Sequence, residues 1–247
     1  ADKRGDEGLR IGLVQSAGDG DKLLNLARQL LNSRPRLILF PPLDLEATGD
    51  PPGFKAVLDT FVQKEGVAVA AAVQPPPGNE AEMSPSLLYI AAGSEHRVEG
   101  PQESLSIETA ENRSVLLVTD RVSRSAVRMR RLAEQGAQLF LVTGGEDPGE
   151  GEIHRPLERL LEFRALETGI AICRASRNGG SLIIDGRGYR KAEAPRKQDW
   201  ATVNPVGLLS PPQSRTWFTR GGWLLGPGSP RRPGAGPWDR ARPGPWI

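Results

Sequence analysis

One cysteine, Cys173, and two histidines, His96 and His154, are all that 247 residues offer of the softest metal-binding side chains. A lone thiol excludes an internal disulfide and a Cys-based metal cluster, and two imidazoles are too few for a His-built zinc site. No metal and no other cofactor is expected. Long apolar runs are also missing. None approaches the ~20 residues that cross a bilayer, and the opening Ala-Asp-Lys-Arg-Gly-Asp-Glu-Gly is polar and unlike a signal peptide, so the chain reads as soluble. Neither sign of charge dominates: 32 Lys and Arg against 30 Asp and Glu leave +2, too little to draw a nucleic-acid partner. Lysine is absent between Lys64 and Lys191, which removes the ammonium group from half of the chain.

What remains is ordinary globular material, 38% hydrophobic and 25% charged, long enough to bury one large core as a single domain. Short β-branched runs alternate with amphipathic stretches, the pattern of a layered α/β protein. Strands are predicted over 9–15, 36–40, 67–73, 87–91, 114–119, 139–143, 170–174 and 181–184. Helices are predicted over 21–32, with Leu23, Ala27, Leu30 and Leu31 inward, over 54–65, over 122–135, with Ala126, Met129 and Ala133 inward, and over 155–168, with Leu157, Leu160, Leu161 and Ala165 inward. The all-apolar run 67–73 predicts a strand covered on both faces. Asp185-Gly186-Arg187-Gly188 is a turn signal. From Gly226 onward, six Pro, five Gly and four Arg in 22 residues predict an extended or disordered tail, with Trp238 and Trp246 as its only large apolar side chains besides the terminal Ile247.

Three stretches carry a family likeness. Arg164-Ala165-Leu166-Glu167-Thr168-Gly169, then Arg174-Ala175-Ser176-Arg177-Asn178-Gly179-Gly180-Ser181, then Asp185-Gly186-Arg187-Gly188 hold one ungapped register. They resemble the helix end R-A-x-E-T-G, the strand R-A-T-N-T-G-x-S and the turn D-x-x-G of apolipoprotein N-acyltransferases, members of the nitrilase (carbon-nitrogen hydrolase) superfamily. Thr216-Trp217-Phe218-Thr219-Arg220-Gly221-Gly222-Trp223 is similar to that family's T-P-Y-x-R-x-G-D-W, and Arg10-Ile11-Gly12-Leu13-Val14-Gln15 to the opening strand of nitrilase-fold proteins. The resemblance implies an α-β-β-α sandwich over residues 9–225, with 1–8 an extension and 226–247 a tail. It also implies an extracytoplasmic or membrane-associated setting, the cytoplasm being the alternative.

The family's chemistry is a Glu-Lys-Cys triad, in which a thiolate attacks a carbonyl, the glutamate moves protons and the lysine stabilises the oxyanion. The glutamate position falls on Pro42, and the cysteine position on Thr119 or Asp120. No lysine is available for the third, and the segment that carries it is short, 93–107. A carboxylate of Asp120 at the elbow would set an anion there with no lysine nearby to offset it. Substitutes are weak. Asp44 and Glu46 are expected to be solvated loop acids, Cys173 an inert packing residue within a strand, and His154 stands three positions from the family's histidine. Ser123 and Ser125 lack a Gly-x-Ser-x-Gly frame. Gly144-Gly145 and Gly149-Glu150-Gly151 lack the Lys-Ser/Thr of a phosphate loop. Arg121, Arg124, Arg128, Arg130 and Arg131 form a basic surface, either solvated or facing lipid phosphates or an acidic partner. The expectation is a catalytically inactive nitrilase-fold body that binds a protein partner or a second copy, within a membrane-associated complex or outside one. The alternatives are an active N-acyltransferase domain and an amidase with a non-standard site.

Overall fold

The computed structural model describes residues 8–43, 53–74, 85–98, 104–108, 114–144 and 154–207; of residues 154 and 155 only the backbone is described. Its first half is a sheet made by β1 (Leu9–Gln15), β2 (Leu37–Leu39), β3 (Ala68–Val73), β4 (Ser86–Ala91) and β5 (Ser94–Val98), joined at its outer edge by β12 (Trp200–Val206). The strand order is β12-β1-β2-β3-β4-β5, parallel over β1-β2-β3 and antiparallel elsewhere. Two helices cover its outer face, α1 (Gly20–Leu30) and α2 (Phe54–Glu65). Asp19 caps α1, its carboxylate accepting from Lys22 N at 3.0 Å, and a 3-10 turn, Leu31–Ser33, ends it before Pro35.

The second sheet has the order β11-β10-β9-β8-β7-β6, from β6 (Ser104–Glu108), β7 (Ser114–Thr119), β8 (Leu139–Gly144), β9 (Ala171–Ser176), β10 (Leu182–Ile184) and β11 (Arg190–Glu193). Here β7-β8-β9 are parallel. Its outer face carries α3 (Asp120–Ser123), α4 (Ala126–Glu134) and α5 (His154–Thr168). Period-two alternation sorts the side chains. In β9, Ala171, Cys173 and Ala175 enter the core between the sheets, while Ile172 joins the layer under the helices. In β1, Leu9, Ile11 and Leu13 point to the inter-sheet core, and Val14 to α1 and α2. Both faces of both sheets are thus covered, and the expected α-β-β-α sandwich is what the chain forms.

Two expectations need correction. Residues 122–135 are not one helix: the chain breaks at Arg124-Ser125, where Ser125 takes an extended conformation and caps α4 through its hydroxyl. Serine competes with helix propagation by this bond. The segment 93–107 is not a plain connection either, since it contains most of β5 and β6, edge strands too polar in alternation to register as apolar runs. Strands β11, mostly charged, and β12, whose apolar residues are interrupted by Thr202, Asn204 and Pro205, were likewise not marked by apolar runs.

Candidate functional site

The parallel strands of the two sheets end at the same edge of the sandwich. Thr143, near the end of β8, donates its hydroxyl to Phe40 O just past β2 and accepts from Ala72 N near the end of β3, at 3.5 and 3.2 Å. At the end of β1, Gln15 accepts from Ser181 N and donates to Pro195 O and Gln198 O. Both side chains are buried and cross from one sheet to the other. The carboxyl ends of parallel strands are where open α/β sheets place ligand sites.

At this edge lies Asp120, the first residue of α3, directly after β7. Thr119 is the last residue of β7, half-buried and paired in register with Thr143. The Asp120 carboxylate is 4% exposed and receives two hydrogen bonds from Arg174, Nε to Oδ1 at 2.9 Å and Nη2 to Oδ2 at 2.7 Å. The third guanidinium nitrogen, Nη1, donates to Gly180 O at 2.8 Å. Arg174 itself has no exposed surface. Burial disfavours its charge, but the charge and bonds of Asp120 outweigh that and hold its pKa above the ordinary value. The anion expected to stand alone therefore has a dedicated cation, supplied from β9.

Glycines make room for this pair. A Cβ on Gly144, the last residue of β8, would collide with both Asp120 Oδ2 and Arg174 Nη2. A Cβ on Gly180 would stand 2.6 Å from Arg174 Nη1, and Gly180 has φ +74°, a conformation that suits glycine. Around the pair lies a second ring of charge, in which buried Glu158 of α5 meets Arg190 at 3.2 Å and Arg196 at 3.8 Å.

Pro42 is buried beside this edge, and its carbonyl accepts from Arg177 Nε at 2.9 Å. It has no titratable group to offer. Cys173 points into the inter-sheet core with no exposed surface, and burial pushes its thiol well above the ordinary range, the environment of a packing residue. Ser123 is buried with its hydroxyl on Asp120 O at 2.8 Å, and Ser125 serves α4 as its cap. Lys64 closes α2, and Lys191 pairs with Asp185 at 3.0 Å in the turn region at the opposite end of the sandwich. That end also has a cavity of about 500 Å³, bordered by Ala171, Ile183, Arg187 and Val206, remote from Asp120. Asp44, Glu46, Gly145, Gly149, Glu150, Gly151, the stretch 216–223, Trp238 and Trp246 lie outside the described residues, as does the side chain of His154. Among the described residues no group of His, Cys, Asp and Glu is arranged to hold a metal ion.

The motif residues are structural. Arg164 bonds Glu167 at 2.6 Å and Arg124 O at 3.2 Å, Thr168 caps the end of α5 through Arg164 O and Ile170 N, and Gly169 turns the chain at φ +73°. Ser181 bonds both N and O of Ser176, closing the turn from β9 to β10. Asp185 accepts from Arg187 N and Tyr189 N, an Asx turn before β11.

Comparison with solved structures returns this same architecture in an amidase from Nesterenkonia sp. The TM-score is 0.66 at 19% identity, over 83% of this chain and 92% of the amidase. A double mutant of the Nesterenkonia amidase in complex with acrylamide superposes with TM-score 0.67 at 17% identity, over 89% and 95%. A single mutant with butyramide gives 0.65 at 20%, over 83% and 92%. The chain has the nitrilase fold. At these identities the likeness speaks for the fold alone. No protein-family model matches the sequence, and no curated protein matches it. Within the nitrilase fold, the Arg174–Asp120 pair was not foreseen from sequence, although an arginine inside the apolar run Ile170-Ala171-Ile172-Cys173-Arg174 was a signal that a buried anion must face it.

Proposed function

We propose that this chain is a nitrilase-fold body without the superfamily's acyl-transfer chemistry, retained as a binding or accessory subunit. The observation that carries this reading is the closed Asp120–Arg174 pair at the strand edge. A carboxylate held by two charge-assisted bonds in a dry site is poorly placed to attack a carbonyl, and its lone pairs are committed to the guanidinium. Pro42, at the position that the family likeness gives to the glutamate, moves no proton. The one thiol is sealed in the core. Likeness of the motifs to apolipoprotein N-acyltransferases supports a relation to that branch, and with it an extracytoplasmic or membrane-associated setting and a protein partner or second copy. Nothing in composition favours nucleic acid.

An amidase is the competing reading, favoured by the backbone likeness to the Nesterenkonia enzyme. The test is an assay of the purified full chain with acrylamide, butyramide, simple nitriles and a phospholipid acyl donor. Rates at background support the binding subunit. Ammonia release or acyl transfer that vanishes in Asp120→Asn would establish an enzyme with a non-standard site.

A further inference from the structure

At the end of the sandwich opposite Asp120, the two sheets part and leave the cavity of about 500 Å³, a size that suits a small molecule. Its inner wall is core. Ala171, Ile183 and Val206 belong to the apolar layer between the sheets and are at most 3% exposed. The wall is built from small groups that leave the space unfilled: a Cβ on Gly186 would collide with Gly169 O, so the turn before β11 is pressed directly on the chain that enters β9.

The opposite wall is set by the pairing of β12 with β1. Residues directly opposite in an antiparallel ladder share a face. Leu9, Ile11 and Leu13 point between the sheets, and their partners are Val206, Asn204 and Thr202. Two polar side chains thus stand on a face that elsewhere takes apolar ones. Asn204 Nδ2 donates to Thr202 Oγ1 at 3.1 Å. Its second N–H and its carbonyl oxygen have no partner among the described residues, and Asn204 borders the cavity. A carboxamide on a core face needs a polar group beside it.

The rim carries one uncompensated charge. Lys191, the extra residue where the β10–β11 ladder shifts register, pairs with Asp185 at 3.0 Å. Arg187 is exposed in the turn, and only its backbone N–H is bonded, to Asp185 Oδ1. Apolar wall, amide and single guanidinium together complement a small monoanion with an apolar body. A neutral ligand would leave Arg187 unused, and a dianion would exceed the charge on offer.

We propose that this cavity binds a small monocarboxylate, its carboxylate held by Arg187 and the Asn204 amide and its apolar tail lying against Ala171, Ile183 and Val206. The site is separate from the Asp120 edge, and the claim is independent of whether the chain hydrolyses amides. Each CH2 of the tail that is buried tightens binding about fourfold. The charge-assisted bond to Arg187 favours the acid over its neutral amide by about tenfold or more.

The experiment is isothermal titration calorimetry of the full chain at neutral pH with butyrate, hexanoate and hexanamide. Expected is saturable binding of hexanoate at one site, about tenfold tighter than that of butyrate and about tenfold tighter than that of hexanamide. Arg187→Gln should bring hexanoate down to the level of hexanamide while leaving hexanamide unchanged. Asn204→Leu, which keeps the volume and removes the carboxamide, should weaken hexanoate severalfold. The Arg187 side chain has no partner to lose, so its variant keeps the fold, which circular dichroism verifies. Absence of saturable binding, equal affinity for acid and amide, or hexanoate affinity unchanged in both variants overturns the proposal.

Discussion

Removing the guanidinium of Arg174 should be among the most damaging single changes in the described core. Arg174→Met keeps most of the aliphatic stem and deletes two charge-assisted bonds, of 2.9 and 2.7 Å, to a carboxylate only 4% exposed. Gly144 and Gly180 pack closely against the pair, which keeps the site away from bulk water. Breaking a buried pair from one side costs about 3–5 kcal/mol, since the surviving charge stays desolvated. Asp120→Leu should cost a similar amount for the mirrored reason, leaving Arg174 only the backbone carbonyls of Gly179 and Gly180. Replacing both together should cost much less, ~0–2 kcal/mol, as buried pairs exchanged for apolar groups of similar volume are often neutral.

The measurement is a double-mutant cycle by urea unfolding at neutral pH. With a slope of about 2 kcal/mol per molar urea, each single change should lower the midpoint by about 1.5–2.5 M, and lower Tm by roughly 6–20 °C. The coupling between the two should exceed about 3 kcal/mol, far outside the ~0.5 kcal/mol within which independent sites add. Singles that cost under about 1 kcal/mol, or costs that add, would refute the reasoning. Asp120 would then be hydrated and free for proton chemistry, and the binding-subunit reading would lose its main support.

Gly144→Ala should destabilise by about 1–3 kcal/mol, through overpacking against Asp120 and Arg174; thermal unfolding reads this, and an unchanged Tm contradicts the cage. Cys173 should resist a thiol reagent at neutral pH in the native protein and react at once in denaturant, because burial keeps it protonated and covered. Lys22, with the Ser16 hydroxyl, holds the Asp199 carboxyl below its ordinary 3.8. Its contribution is thus complete above that value and lost as pH falls through the lower folded value, so Asp199→Asn should flatten the acid limb of a urea-midpoint profile below pH ~4. Asp120→Cys should give no amide turnover, as it restores a thiol at the edge but neither a proton-transfer group at Pro42 nor a lysine; ammonia release above background in that variant would show that the missing groups have substitutes.

Much of the sandwich was legible because its strands are apolar runs and its helices keep their periodicity. Leu9–Gln15, Phe54–Glu65 and Ser114–Thr119 stand where the pattern puts them. Ala68–Val73 is buried on both faces, as an uninterrupted apolar run requires. What escaped were strands whose identity comes from pairing rather than composition. Arg190–Glu193 has Ala192 as its one apolar side chain, and becomes a strand because it ladders onto β10. Trp200–Val206 includes Pro205 and Asn204, and is fixed by seven residue pairs with β1. At the candidate site, Pro42 and the ambiguity between Thr119 and Asp120 were readable, since both depend on neighbouring strands. The Arg174 contact was not, because it spans 54 residues and depends on β7 and β9 flanking β8.

Arg174 ties the motif stretch to the candidate site. It opens the stretch Arg174-Ala175-Ser176-Arg177 by which the likeness is recognised, and its place on β9 is fixed by the register with Val142 of β8 and Leu182 of β10. A guanidinium held there matches the two oxygens of the Asp120 carboxylate, and the backbone carbonyl of Gly180 takes its third nitrogen. The remaining motif residues, Thr168, Gly169, Ser181 and Asp185, shape a helix end and two turns. The bidentate match between Asp120 and Arg174 closes the edge from inside, and under the proposed reading the packing that keeps the fold stable also works against a reaction centre there.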